Sequence, residues 1–182
     1  GEALAKLREL PEESGQCCVT SPPYWGLRDY GVEGQMGLEA TPELYVERMV
    51  EVFREVRRVL RKDGTLWLNM GDCYASAPQG PDLSSCGLVG SRNNMRETRS
   101  AHSFRRDRAV VGNVKHLRAS RDLKGKDLIG MPWMLAFALR ADGWWLRADI
   151  IWHKPNPMPE SVTDRPTKAH EYLFLLTKRE RY

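Results

Sequence analysis

The chain has 182 residues, with 28 Lys and Arg against 24 Asp and Glu and a net charge of +4, enough length for one domain with a real core. It has no run of about eighteen apolar residues and no secretory leader at its start, so a soluble, cytoplasmic protein is expected rather than a membrane-spanning one. Cys17, Cys18, Cys73 and Cys86 form no C-x-x-C pair and His102, His116, His153 and His170 are scattered, which points to reduced thiols and gives a metal site little support.

Charge is unevenly placed. Between Arg92 and Lys126 eleven Lys and Arg face only Glu97, Asp107 and Asp122, a local excess of eight, so the rest of the chain is mildly acidic. A basic segment on an acidic body is the asymmetry expected of a nucleic-acid partner.

In chain order, Leu4, Leu7 and Leu10 predict a short helix over residues 3–13, ended by Pro11. Residues 16–20 are apolar without alternation, which predicts a short central strand. Residues 25–40 contain Gly26, Gly31, Gly34 and Gly37 and predict a mobile surface loop. Thr41-Pro42 is a helix start, an N-cap hydroxyl followed by proline. Tyr45, Met49, Val52, Phe53, Val56, Val59 and Leu60 then trace one helical face to about Arg61, with Gly64 as the expected stop. Arg54, Arg57, Arg58 and Arg61 fall mostly opposite and are expected in solvent. Residues 65–70 predict a strand parallel to the first, through a right-handed crossover.

Periodicity fails over residues 75–126, too long for an ordinary connection and expected to be a functional or binding-ordered basic insertion. A second helix is predicted over 127–141 and strands over 144–153 and 172–177, the last two as antiparallel neighbours across the rigid Lys154-Pro155-Asn156-Pro157 loop. The sum is an α/β sheet, mostly parallel, with one reversed strand.

The chemistry concentrates in Thr20-Ser21-Pro22-Pro23-Tyr24. Proline fixes its own φ and restricts the residue before it, so the chain leaves the strand as a stiff, extended loop. Two prolines supply no N–H, and the loop offers acceptors: the Ser21 hydroxyl and the carbonyls of Ser21 and Pro22. An exocyclic amine suits that edge, and Tyr24 adds a ring on which a base could stack.

These residues resemble motif IV of the DNA amino-methyltransferases, and Ser in the first position is similar to the cytosine-N4 branch, where adenine-N6 enzymes usually carry Asp. Residues 20–31 (TSPPYWGLRDYG), 62–74 (KDGTLWLNMGDCY), 149–161 (DIIWHKPNPMPES) and 164–178 (DRPTKAHEYLFLLTK) extend the resemblance to enzymes of phages and restriction-modification systems. The resemblance implies a Rossmann-like, S-adenosylmethionine-dependent fold in the β-class order, represented by its catalytic half. No Phe-x-Gly-x-Gly loop for the cofactor occurs in the 182 residues, so weak or absent cofactor binding by the isolated chain is expected.

The implied catalytic residues are Ser21, Pro22, Pro23 and Tyr24. Glu2 and Thr20 are implied at the cofactor. Trp25, Arg28, Arg105, Arg106, Arg108 and Lys115 are expected to contact double-stranded DNA with its target base flipped out. Arg165, His170 and Glu171 are expected to shape the turn before the last strand rather than to act in catalysis, and Cys17 and Cys18 are not expected to be nucleophiles. Adenine-N6 methylation, glutamine methylation of a protein, and a non-enzymatic DNA-binding half that pairs with a second, cofactor-binding segment remain open.

Overall fold

The computed structural model describes residues 2–75 and 123–182. A four-stranded sheet is formed by β1 (Gly15–Thr20), β2 (Leu60–Met70), β3 (Trp145–His153) and β4 (His170–Thr177), in the order β1-β2-β4-β3. β1 and β2 are parallel, while β4 is antiparallel to both β2 and β3. It is therefore the one reversed strand, as expected.

Helix α2 (Pro42–Val59) makes the crossover from β1 to β2, and α3 (Met131–Ala141) leads into β3. The Thr41 hydroxyl accepts the Leu44 N–H at 3.3 Å and so caps α2. The sheet residues Leu66, Leu68, Met70, Phe174 and Leu176 are fully buried against Tyr45, Met49 and Phe53 of α2 and Leu135 and Leu139 of α3. A short α1 (Ala3–Glu9) packs on α2; Arg58 of α2 donates to the Leu7 and Leu10 carbonyls.

Several expectations are corrected. α2 ends at Val59, and residues 61–64 form an irregularity between the Gly15–Leu60 and Cys17–Thr65 pairs, so Gly64 lies in β2 and stops no helix. α3 begins four residues later than predicted, because Gly130 takes a left-handed φ of 78° and the chain ahead of it is bonded to residues 73–75. Of the four arginines expected in solvent, Arg54 and Arg61 are exposed, Arg54 while pairing with Asp142, whereas Arg58 is partly buried in its pair with Glu55 and the Arg57 Nε is buried.

β1 was expected to be central and stands at an edge, hydrogen-bonded to β2 alone among the described residues. Residues paired across a ladder share a face. The register therefore places Val19 beside Trp67, Trp67 beside Leu175, and Ile150 and Trp152 beside Leu173 and Glu171 on the face away from the helices. On that face Val19 is 76 % and Trp152 57 % exposed. Cys18 faces the helices and Val19 the opposite side, which no helix covers among the described residues.

The ends of the 75–126 stretch are drawn together. Ala75 N–H donates to the Asp127 carbonyl and Lys126 N–H to the Ala75 carbonyl, each at 2.8 Å. Arg105, Arg106, Arg108 and Lys115 lie outside the described residues.

Candidate functional site: the loop after β1

β1 delivers Ser21 to Tyr24 at the end of the sheet where β2 and β4 also present polar side chains. The Pro23 carbonyl accepts from the Tyr45 hydroxyl of α2 at 2.9 Å, and burial pushes that phenol up, so it stays a neutral donor. The loop is thereby tied to the core through its second proline. Among the described residues no hydrogen bond reaches the Pro22 carbonyl, which is left as an available acceptor.

The Tyr24 ring lies against Gly71 at the end of β2. A Cβ at Gly71 would stand 2.7 Å from Tyr24 Cε2, so only glycine lets the ring occupy that place. The Tyr24 hydroxyl is within bonding distance of three groups. It accepts from Ser21 Oγ at 3.2 Å, and Asn69 Oδ1 at 2.9 Å and Glu171 Oε2 at 3.2 Å stand as acceptors for its proton. Lys154 Nζ donates to the other Glu171 oxygen. Burial pushes Glu171 up, but the hydrogen bond and charge of Lys154, with the hydrogen bonds of Tyr24 and Asn69, outweigh it and hold the carboxyl below its ordinary value. Burial and the Glu171 charge push the Tyr24 phenol up, against the Ser21 hydrogen bond.

In front of the loop is a hollow of about 280 Å³ lined by Ser21, Pro22, Pro23, Tyr24, Leu27, Arg28 and Tyr30. That is near the lower end of the range of about 300–1,000 Å³ for ligand pockets, and it is open to solvent. Leu27 and Tyr30 form an exposed apolar wall that sequence reasoning did not single out, although both fall within the TSPPYWGLRDYG run.

The remaining predicted residues are dispersed. Arg28 borders the hollow. Trp25 was expected at the DNA, yet it is 4 % exposed and gives its indole N–H to the Glu39 carbonyl at 2.9 Å, so it packs in the core and offers no edge to a base. The loop it opens is held by polar contacts: Arg48 donates to the Gly34 carbonyl and pairs with Glu39, and Gly26 N–H bonds to the Gly37 carbonyl. Thr20 is half-buried at the tip of β1, and Glu2 is exposed, 3.9 Å from Arg48. Neither lines the hollow in front of the loop.

Asp72 has a structural task. Its Oδ1 accepts the N–H groups of Cys73, Gly130 and Met131 at 2.9–3.0 Å and so caps α3 from the end of β2. Arg165 stacks 3.8 Å over the Tyr74 ring and pairs with Glu160, in keeping with the turn-shaping role expected of it. The Lys168 Nζ is buried without a hydrogen-bond partner among the described residues, and burial lowers its pKa against the charges of Asp72 and Glu171. Burial raises the Cys18 thiol and pushes Cys73 up to about 11, which leaves both protonated at neutral pH and poor nucleophiles.

Comparison with known proteins supplies the context. The sequence profile of the DNA methylase family matches residues 16–182. The chain is 52 % identical over 185 residues to the type II methyltransferase M.XycI of Xanthomonas campestris pv. cyanopsidis and 51 % identical over 185 to M.Cfr9I of Citrobacter freundii, covering 100 % of this chain and 54 % of each relative. It thus spans about half the length of the curated relatives it matches. Among solved structures, the cytosine-N4-specific PvuII DNA methyltransferase superposes with a TM-score of 0.59 at 15 % identity, over 100 % of this chain and 48 % of that one. A putative DNA modification methylase of Thermus thermophilus, solved with S-adenosyl-L-methionine, gives 0.58 at 20 % identity over 100 % and 53 %. At these identities the likeness is one of fold.

Proposed function

We propose, since this chain belongs to the DNA methylase family, that it carries the catalytic segment of a site-specific DNA methyltransferase that moves a methyl group from S-adenosylmethionine to the exocyclic N4 of cytosine. The enzyme would serve a type II restriction-modification system in a bacterial or phage-infected cytoplasm. The observation that carries this reading is the proline-locked loop at the mouth of the hollow, with Ser21 Oγ and the Pro22 carbonyl as acceptors and a serine where a carboxylate would favour adenine.

The cytosine amine is a poor nucleophile because its lone pair is delocalised into the ring. Two oxygens that accept its hydrogens favour a tetrahedral nitrogen, whose pair is then free to attack. Ser21 and Pro22 supply those oxygens, Pro23 and Tyr45 hold them in place, and Tyr24 forms the floor against which an everted base is positioned. S-adenosylmethionine supplies an electrophilic methyl on a sulfonium, which an acceptor-rich rim suits. With the methyl donor bound, the methyl would pass to N4 as the S–C bond breaks toward sulfur, and the proton lost from N4 would pass to solvent through the open hollow. No covalent enzyme intermediate is required, consistent with thiols held protonated by burial.

Glu2 and Thr20 are the candidates of this chain at the cofactor, and binding of S-adenosylmethionine is assigned to this chain together with a further segment. DNA is held by the rim at Arg28 and by the basic stretch containing Arg105, Arg106, Arg108 and Lys115. Trp25, packed in the core, has no part in holding DNA.

The test is the chemistry of the product: DNA exposed to the complete enzyme is digested and its nucleosides are weighed by mass spectrometry. N4-methylcytosine is expected. N6-methyladenine alone would overturn the base assignment, and unmodified DNA would overturn the activity.

A further inference from the structure

A hydroxyl is a less obvious acceptor than a carboxylate, because its own proton can point at the incoming amine. The bonds around Tyr24 remove that ambiguity. Glu171 is an anion and can only accept, and Asn69 Oδ1 likewise accepts, so the single Tyr24 proton points toward Glu171 or Asn69. The lone pairs of Tyr24 are then turned toward Ser21. The Ser21 proton follows, donating to Tyr24 at 3.2 Å, and the lone pairs of Ser21 are left for the hollow.

We propose that Glu171, held by Lys154, is a positioning residue that sets the polarity of this hydroxyl chain and so makes Ser21 an acceptor for the target amine. The inference rests on the methyltransferase reading of the site and adds a residue to it. Glu171 acts through Tyr24 and touches no substrate. The charged and titratable groups around the chain are Lys154 on the loop after β3, Lys168 ahead of β4, and Tyr24 itself. Replacing Glu171 by the isosteric Gln puts an amide donor beside the Tyr24 oxygen and leaves only the neutral Asn69 Oδ1 to hold the Tyr24 proton, so the bias that the anion places on the chain is lost.

The test has two arms. In the complete enzyme, Glu171→Gln is expected to lower kcat about tenfold to a hundredfold, the scale of one hydrogen bond to a charged group, with KM for DNA and for S-adenosylmethionine held within about twofold. In a Tyr24→Phe background the same change should add nothing, because the link is already cut. Full kcat in Glu171→Gln, or losses that multiply in the double variant, would overturn the proposal. The second arm needs no catalysis: 3-fluorotyrosine at position 24 is titrated by fluorine NMR in wild type, Glu171→Gln and Lys154→Met. The midpoint should fall in Glu171→Gln by about one pH unit as the neighbouring anion is lost. In Lys154→Met, which leaves the carboxylate in place without its cation, it should rise. Identical midpoints in all three overturn the proposal even if the wild type modifies DNA, and a wild type that modifies no DNA removes the methyltransferase reading while the fluorine titration still decides whether Glu171 governs Tyr24.

Discussion

A single missing methyl group lets Tyr24 reach its partners. With a Cβ at Gly71 only 2.7 Å from the ring, Gly71→Ala should displace Tyr24, break its bonds to Asn69 and Glu171, and lower methyl transfer by at least about tenfold while circular dichroism stays unchanged. Ser21→Ala removes an acceptor and should cost about a hundredfold or more in kcat, with DNA affinity preserved. Glu171 also gives the site a pH signature. Its carboxyl lies below its ordinary value in the fold because Lys154 overcomes the effect of burial, so the stability this pair adds is present above the unfolded carboxyl pKa of about 4.3 and is lost as pH falls through the folded value. The difference in melting temperature between wild type and Lys154→Met should be full at neutral pH and vanish in acid. Residues 21–24 were legible because proline and tyrosine declare their geometry locally. Glu171, Asn69 and Gly71 were not, since their part depends on β2 and β4 meeting the loop, and Trp25 was misplaced because nothing local says which way an indole beside a loop will turn.

Among the elements, α3 depends on a side chain from another strand. Asp72 accepts two N–H groups at the start of that helix, those of Gly130 and Met131, besides that of its neighbour Cys73, and Asp72→Ala should destabilise the fold by about 1–2 kcal/mol in urea unfolding, with an unchanged m-value. The apolar face of α2 and its Thr41-Pro42 start could be read from periodicity and capping, and the seven residues predicted for that face are buried, although the last, Leu60, opens β2. Its end could not. The glycine that looked like a stop is absorbed into the irregular start of β2, where the Gly15–Leu60 pairing rather than local propensity decides the boundary. The loop of four glycines was expected to move for lack of apolar anchors, but Arg48 from α2 supplies polar ones.

For the molecule as a whole, the helices among the described residues lie on one face of the sheet, and on the other Val19, Trp145, Ile150 and Trp152 are exposed. The reversed strand and the α/β class followed from the order of the patterns, whereas the edge position of β1 did not, because a two-sided apolar strand reads as central whether or not both faces are covered. Calorimetry on the 182-residue chain should show no micromolar binding of S-adenosylmethionine, with affinity appearing when the further cofactor-binding segment is present. The basic stretch should make DNA binding steeply salt-dependent. Replacing Arg105, Arg106, Arg108 and Lys115 with Ala should reduce the slope of log affinity against log salt by up to about 0.9 for each phosphate no longer neutralised.

The most direct test of the central claim is a crystal structure of the complete enzyme with a cognate duplex and a non-reactive cofactor analogue. An everted cytosine should occupy the hollow with its N4 about 3 Å from both Ser21 Oγ and the Pro22 carbonyl. A target base seated elsewhere, or in the hollow with its amine turned away from those two oxygens, would contradict it.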